Sequence, residues 1–409
     1  MTSVQTEKIV KFLLLIYLCA SFAHNSGTGF DAIFARGSFA LLALAEFIYL
    51  GRESGFKRVP FDRIVIRYIY FFFFYFVSFI WGNVSDGAYY IGNIVQILVA
   101  VYILCNHTHD IDDALLNLKM FLFADLYMMV RLVIATPTSA WGTERVGEAL
   151  SINANVVGMM SSIGMLICMF FAEKQKLYYI AAIFSAVIAL FSGSRKAVFV
   201  IVIGFAIYWL WKDRGLKRTR NVLVMIVVIG LIFYIIMNNE QLYNVLGFRI
   251  EKGINTFLGI RQYSDSGNLV EDGSLLERQY YRETAMSLFF DRPFLGWGAN
   301  GFVTYMEKIG YSHVAYSHCN YTELLSTLGA LGFCLYYLIP GNILIRSFKG
   351  FRDNRNIIFL VAIELIIVIL FTDYYMVSYI SVYTQLIITM VYLAVEISWK
   401  EIAEEDETI

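Results

Sequence analysis

The sequence predicts an all-α, polytopic membrane protein, and three observations carry that prediction. Hydrophobic residues fill 58% of the 409 positions and charged residues only 16%, too little polar surface to coat a soluble globule of this size. Apolar runs of about 20 residues, the length a bilayer-spanning helix needs, recur along the chain. Cations collect in alternate connecting segments, as the positive-inside bias requires. The expected architecture is a single membrane domain over residues 1-409 with about 12 transmembrane helices. One long extracytoplasmic loop, 238-320, is expected within it to contain short amphipathic helices.

The spans are expected near 9-23, 31-50, 64-82, 88-105, 114-134, 155-172, 177-192, 197-211, 221-237, 321-345, 357-371 and 376-397. The first run follows a short positive stretch, but His24-Asn25-Ser26-Gly27 offers no small-residue cleavage site, so it reads as a retained helix. With Met1 cytoplasmic, the inside segments hold Lys8, Lys11, Arg52, Lys57, Arg58, Lys174, Lys212, Arg218, Arg346 and Arg355, and an even number of spans returns the C-terminus to the cytoplasm. The acidic tail from Glu401 to Glu407 reads as a solvated, disordered end. A formal net charge of −1 supplies no basis for a nucleic-acid partner.

The fifth run carries Lys119, Asp125 and Arg131, and ionisable groups inside a membrane are functional candidates by default. Arg131, near the outer end, suits a cationic pocket. Lys119 reads as snorkelling and Asp125 as a structural partner to another helix, with function the alternative for both. Five scattered cysteines without CxxC spacing indicate neither a disulfide framework nor a zinc site. Asn106-His107-Thr-His109-Asp110-Ile-Asp112-Asp113 has residue types that hold a divalent metal and a nucleotide sugar. Asp110 equally suits a helix N-cap followed by first-turn acids, which is the preferred reading.

In the long loop, Leu275, Arg278 and Arg282 fall at helical spacing within 274-290, predicting an amphipathic helix that stops at Asp291-Arg292-Pro293. The glycine-rich turn Gly296-Trp297-Gly298 follows. Ser192-Gly193-Ser194-Arg195-Lys196 places two cations in a tight outside turn, against the charge bias. Arg145 precedes Asn153 and Asn155 at the mouth of the sixth span. His318-Cys319-Asn320 leads a polar patch, with Tyr321 and Glu323, into an apolar helix containing Gly329 and Gly332, which read as helix-packing glycines.

In that order, these four motifs resemble the O-antigen ligase and polymerase family of bacterial envelope glycosyltransferases. The motif at His318 is similar to the family's histidine, polar residue, nine residues, glycine, two residues and a small residue; Cys319 departs from it where a polar residue is usual, and Asn320 follows. The resemblance implies transfer of a glycan from undecaprenyl diphosphate on the outer face of the bacterial cytoplasmic membrane, in O-antigen, capsule or exopolysaccharide assembly. It implies a lipid-linked oligosaccharide and membrane lipid as partners, with chain-length regulator and flippase proteins as further ones.

Arginines match the developing charge of a diphosphate leaving group without a metal or other cofactor. His318, Arg278 and Arg195 are therefore the catalytic candidates, with His318 as general base. Substrate-binding candidates are Arg145, Arg282, Lys196, Arg131, Asn153, Asn155, Asn320, Tyr321 and Glu323. The structural alternatives stand beside these roles: His318 hydrogen-bonding a loop carbonyl, Arg195 and Lys196 at lipid headgroups or a helix cap, Arg278 and Arg282 on a solvated helix face, Asn153 and Asn155 capping a helix. Polymerisation is preferred over ligation to a lipid acceptor. A secondary transporter or lipid flippase is the reading from another class, disfavoured because no internal repeat is visible.

Overall fold

The computed structural model describes residues 3–23, 29–53, 61–82, 90–148, 152–260, 272–311 and 316–407. Lys57, Arg58 and the His24–Gly27 segment, used in the topology reading, lie outside the described residues. Among the described residues the chain is helical, with no strand beyond one isolated bridge between Trp141 and Glu144. The helices are α1 (Ser3–Ala23), α2 (Gly29–Glu53), α3 (Arg63–Val77), α4 (Ile91–Asn106), α5 (Ile111–Ala135), α6 (Ala154–Ala172), α7 (Tyr178–Phe191), α8 (Arg195–Lys212) and α9 (Gly215–Asn238). After these come α10 (Phe248–Leu258), α11 (Gly273–Asp291), α12 (Gly301–Lys308), α13 (Asn320–Asn354), α14 (Ile357–Asp373) and α15 (Val382–Glu407).

Short polar side chains start several of them: Asp62, Asn153 and Asn356 accept backbone N–H bonds from Ile64, Asn155 and Ile358 at 3.0, 2.9 and 2.9 Å. Asp31–Glu53, Arg63–Ile80, α6, α9 and α13 are long and apolar enough to cross a membrane, and α4 and α7 are shorter apolar helices. The protein is thus an all-helical, polytopic membrane protein; the expected twelve crossings extend beyond these five. The acidic tail departs from its expectation. Instead of a disordered end, α15 continues through it to Glu407, because Lys400, Ala403 and the glutamates are strong helix formers.

The chain forms two compact units. The first comprises residues 1–14, 38–118 and 277–409. Its core is aromatic: Phe71 of α3 packs on Tyr336 and Tyr379 at 5.3 and 6.0 Å between ring centroids, and Tyr75 meets Tyr379 at 6.1 Å. The second comprises residues 15–37 and 119–276, built around α6, whose residues are almost all buried. On α9, by contrast, Ile236 alone is buried.

Within the first unit, α13 is not the continuous span that the sequence suggests. Gly329 breaks it with φ 64° and ψ −169°, a conformation essentially reserved for glycine. The limb before the break folds back on the limb after it. Tyr321 stacks on Tyr337 with ring centroids 5.0 Å apart, whereas sixteen residues of unbroken helix would separate them by about 24 Å. The Pro293–Gly298 turn fills the break. An unbroken helix would pair the Ala330 N–H with the Ser326 carbonyl and the Leu331 N–H with the Thr327 carbonyl. Instead Ala330 and Leu331 donate to the carbonyls of Pro293 and Phe294, at 2.8 and 3.3 Å. The freed carbonyls of Ser326 and Thr327 accept from the N–H groups of Trp297 and Gly298, at 2.9 and 2.7 Å. Gly329 therefore does more than let helices pack: it opens the helix to the Pro293–Gly298 loop upstream.

Candidate functional site

In the first unit the limb before the break starts at Asn320, two residues after His318. The histidine's backbone has φ 59°, the left-handed region a non-glycine residue rarely adopts. Its half-buried ring meets two tyrosines. Tyr281 of α11 lies nearly parallel to it at 6.0 Å and 11°, and Tyr316 is tilted against it at 4.4 Å. The Tyr281 hydroxyl donates to Glu277 at 2.5 Å; burial, reinforced by that carboxylate, pushes its phenol up to about 12. Burial also raises Tyr316, and the positive charge of Arg278 pulls it the other way. Arg282, one helical turn beyond Arg278, lies over the Tyr374 ring at 4.9 Å. The structure thus brings Arg278 to the aromatic surroundings of His318 and sets Arg282 over Tyr374.

The residues following His318 have work within the fold. The Glu323 carboxylate accepts the Ser317 N–H at 2.7 Å, closing the turn that carries the histidine. Asn320 is fully buried: its side-chain oxygen accepts from the N–H groups of Ser378 and Tyr379, and its amide donates to the Tyr337 hydroxyl at 2.8 Å. Tyr337 in turn donates to Asp373 at 2.9 Å, and Tyr321 donates to the Leu370 carbonyl at 2.6 Å. Gln385 extends the network, donating to Tyr336 and to the Ser378 carbonyl and accepting from Tyr68. Cys319 is buried at the helix start, with no capping bond from its side chain.

In the second unit, Arg145 donates from Nε to the Ser192 carbonyl at 2.9 Å and from its terminal nitrogen to Asn155 Oδ1 at 3.0 Å. This joins two motifs 47 residues apart in sequence. Asn153 caps α6, as its alternative reading held. Gly193, at φ 62°, turns the chain into α8, and its carbonyl accepts from Arg249 at 2.8 Å. Arg195 donates to the Arg249 carbonyl at 3.1 Å and pairs with Asp272. Lys196 is half-buried in the first turn of α8. Arg131 pairs with Asp31 at 3.1 Å. Asp125 is buried against Gly164, its carboxylate without a hydrogen-bond partner among the described residues, and Lys119 lies over Phe171.

In the same unit, α6 to α9 and Ile250 line a wholly apolar, partly open cavity of about 280 Å³. Leu190, Val198, Ile236 and Ile250 line it close in sequence to the Ser192–Arg195 turn and Arg249, and Ala186, Ile232 and Phe205 continue it.

The histidine-rich segment before α5 belongs to the first unit. Asp110 accepts the Asp113 N–H at 2.8 Å, the helix-cap geometry, and His107 meets Glu46 at 2.6 Å in a buried pair. Glu7, His109 and Asp113 bring ligand atoms within 4.8 Å of one another. The Lys11 ammonium already sits 2.7 Å from Asp113 and 3.0 Å from Glu7, supplying the cation those carboxylates need.

Several contributors escaped the sequence reading. Tyr281 was hidden inside the Arg278–Arg282 helix turn, and Arg249 and Asp272 sat in a loop without a motif. Gln385 had a signal: an amide in an otherwise apolar run must find partners. Residues 180–337 match the family model described as O-antigen ligase, a range that holds the Ser192, Arg278, Pro293 and His318 motifs and leaves Arg145, Asn153 and Asn155 upstream. No curated protein matches the chain.

Proposed function

Because the chain contains an O-antigen ligase domain over residues 180–337, we propose that it is a polysaccharide polymerase. It transfers an undecaprenyl-diphosphate-linked glycan to the end of an acceptor glycan on the outer face of the cytoplasmic membrane. The observation that carries this reading is the setting of His318: an imidazole on a left-handed backbone, against two tyrosine rings, with Arg278 acting on one of them. Such a group accepts the proton of an attacking sugar hydroxyl near neutral pH. Arg278 and Arg282 offset the charge that develops as the diphosphate leaves.

In the second unit, Arg145, Arg195 and Lys196 provide phosphate-binding cations, with Arg131 and Asn155 in support. The bonds of Arg145 to Ser192 and Asn155, and of Arg195 to the Arg249 carbonyl and Asp272, hold their guanidinium planes in place, and a planar guanidinium suits phosphate oxygens. The 280 Å³ apolar cavity suits part of the polyprenyl tail; an apolar cavity of about 150 Å³ takes a benzene. In the first unit, Asn320, Tyr321 and Glu323 support the histidine's turn from within the fold. The chemistry needs no metal, because arginines supply the cations.

Ligation to a lipid acceptor is the second reading, favoured by the description of the matching family. The broken α13 does not favour a transporter. In transporters, such breaks leave backbone groups for substrate or ions, whereas here Ser326, Thr327, Ala330 and Leu331 bond to the Pro293–Gly298 turn. Incubating the purified protein with an undecaprenyl-diphosphate-linked repeat unit separates the outcomes. A ladder of products supports polymerisation, a single addition to a lipid acceptor supports ligation, and absence of transfer overturns both. Impermeant labelling of cysteines introduced at positions 195 and 278 tests the side of the membrane: modification only after permeabilisation would overturn the outer-face assignment.

A further inference from the structure

The two tyrosines around His318 belong to a longer run of rings. Tyr281 meets Tyr280 at 6.2 Å, and Tyr280 meets Tyr311 at 5.7 Å with 34° between the planes. The outermost pair is open, with Tyr280 41% and Tyr311 43% exposed, and their side chains hydrogen-bond one another. The run therefore leads from solvent-accessible rings through buried Tyr281 to the histidine.

Its mounting is firm. Tyr281, Ala285 and Leu288 of α11 pack on Phe302, Val303 and Met306 of α12 in one apolar cluster. The Tyr311 N–H donates to the Met306 carbonyl at 3.0 Å, after Gly310 turns the chain at φ 97°. Exposed tyrosines on a membrane protein ordinarily form an interfacial belt against lipid. The surroundings here oppose that explanation. Glu277 and Glu283 lie one helical turn to either side of Tyr280, Gln279 donates to Glu283 at 2.9 Å, and Glu307 and Lys308 are exposed just before Tyr311. Lipid would desolvate those charges without pairing them. A sugar would not, because its C–H faces stack on tyrosine rings while its hydroxyls donate to carboxylates.

Resting on the glycosyltransferase reading above, we propose that Tyr280 and Tyr311 form a glycan-binding platform. It holds a pyranose chain of neutral character whose end lies at His318. The carboxylates select against polyanionic chains, and the exposed rings of Tyr280 and Tyr311, 5.7 Å apart, offer the stacking surfaces. Tyr280 and Tyr311 act in binding, not in the transfer step.

The test uses the full-length protein in detergent and the oligosaccharide released from the lipid-linked donor by mild acid, with inorganic diphosphate as a control ligand. Binding is read by calorimetry for the parent, Tyr280→Ala/Tyr311→Ala and Tyr280→Phe/Tyr311→Phe. The alanine pair should bind the oligosaccharide about tenfold or more weakly, as expected for two lost stacking surfaces. The phenylalanine pair should stay within about threefold of the parent, since its rings remain. Diphosphate binding should be the same in all three. In a transfer assay the alanine pair should raise the acceptor KM and leave kcat near the parent value.

Unchanged oligosaccharide binding in the alanine pair overturns the platform, as does a parent protein that does not bind the oligosaccharide. Weaker binding accompanied by an equal loss of diphosphate binding marks general misfolding and also overturns it. Tyrosine-dependent binding in a protein that transfers nothing would leave the platform standing and overturn the glycosyltransferase reading.

Discussion

The break in α13 makes a sharp prediction at Gly329. Alanine there would have to occupy φ 64° and ψ −169°, a region that costs a non-glycine residue on the order of 1–3 kcal/mol. Its Cβ would also collide with the Phe294 carbonyl and lie 2.7 Å from the Gly296 nitrogen. Both are backbone atoms and cannot rotate away. Moving the loop breaks the four backbone bonds across the junction and leaves the strain in place; straightening the helix relieves the strain, re-pairs its own groups with two bonds and abolishes the fold-back. Even the second route loses two bonds net, at about 1 kcal/mol each, so the expected cost is at least about 2 kcal/mol. Gly296, at φ 64°, meets the same wall from the other side, since a Cβ there would lie 2.5 Å from the Thr327 carbonyl group. Gly341, with open space around it, is the control: alanine there should be neutral or stabilise by up to about 1 kcal/mol. Unfolding of each variant in mixed micelles by titration with a denaturing detergent gives the comparison. The reasoning is refuted if Gly329→Ala remains within about 1 kcal/mol of the parent, or if Gly296→Ala and Gly329→Ala add as independent sites when combined.

Replacing His318 with glutamine should reduce transfer by about 10²–10⁴-fold while changing donor affinity by less than about threefold; equal losses in both would assign the histidine to binding. Ala186→Trp should fill the apolar cavity and abolish the affinity advantage of a long polyprenyl diphosphate over a ten-carbon one, measured by competition binding; an undiminished preference would remove the tail from that cavity. Tyr281 keeps its proton in the fold to about 12, whereas an unfolded tyrosine ionises near about 10. Its stabilising contribution is therefore complete below about pH 10 and lost as the pH rises between those two values, so stability should fall less steeply across that window in Tyr281→Phe than in the parent.

The helices were legible because long apolar runs have no soluble alternative. Pro293 also placed the end of α11, expected at Asp291-Arg292-Pro293 and observed at Asp291. The last helix was placed too early, at 376, because Met376, Val377 and Tyr379 read as apolar. In the fold, the backbone N–H groups of Ser378 and Tyr379 leave the helical pattern to bond Asn320, and α15 starts at Val382. The fold-back at Gly329 was hidden for a related reason. Leu328, Ala330 and Leu331 continue an apolar run across it, and the groups that stabilise the break come from a segment remote in sequence. Of the candidate site, the motifs singled out His318, Arg278, Arg145 and the Ser192 turn, but not the bond between the last two, which are 47 residues apart. Spacing could not show that Asn153 caps a helix while Asn155, two residues on, meets an arginine, because both are asparagines at a helix start.

Irregular backbone in an apolar setting is tolerated only where protein groups satisfy its donors and acceptors, and the first unit meets that demand twice around one histidine. At Gly329 the Pro293–Gly298 turn satisfies the opened helix, backbone to backbone. At the other end of the same limb, Asn320 satisfies the unwound segment before α15 with its side chain. The limb between these anchors is short, so its start can move only if one of them gives way. His318 lies two residues before Asn320, on a turn closed by Glu323 and against rings from α11 and the preceding segment. Its left-handed backbone conformation is therefore the outcome of constraints from both sides. Buried amides and carboxylates carry a desolvation cost that an apolar core would avoid. Spending it around one titratable ring is consistent with selection for the position of that ring, since apolar packing alone would have supplied stability.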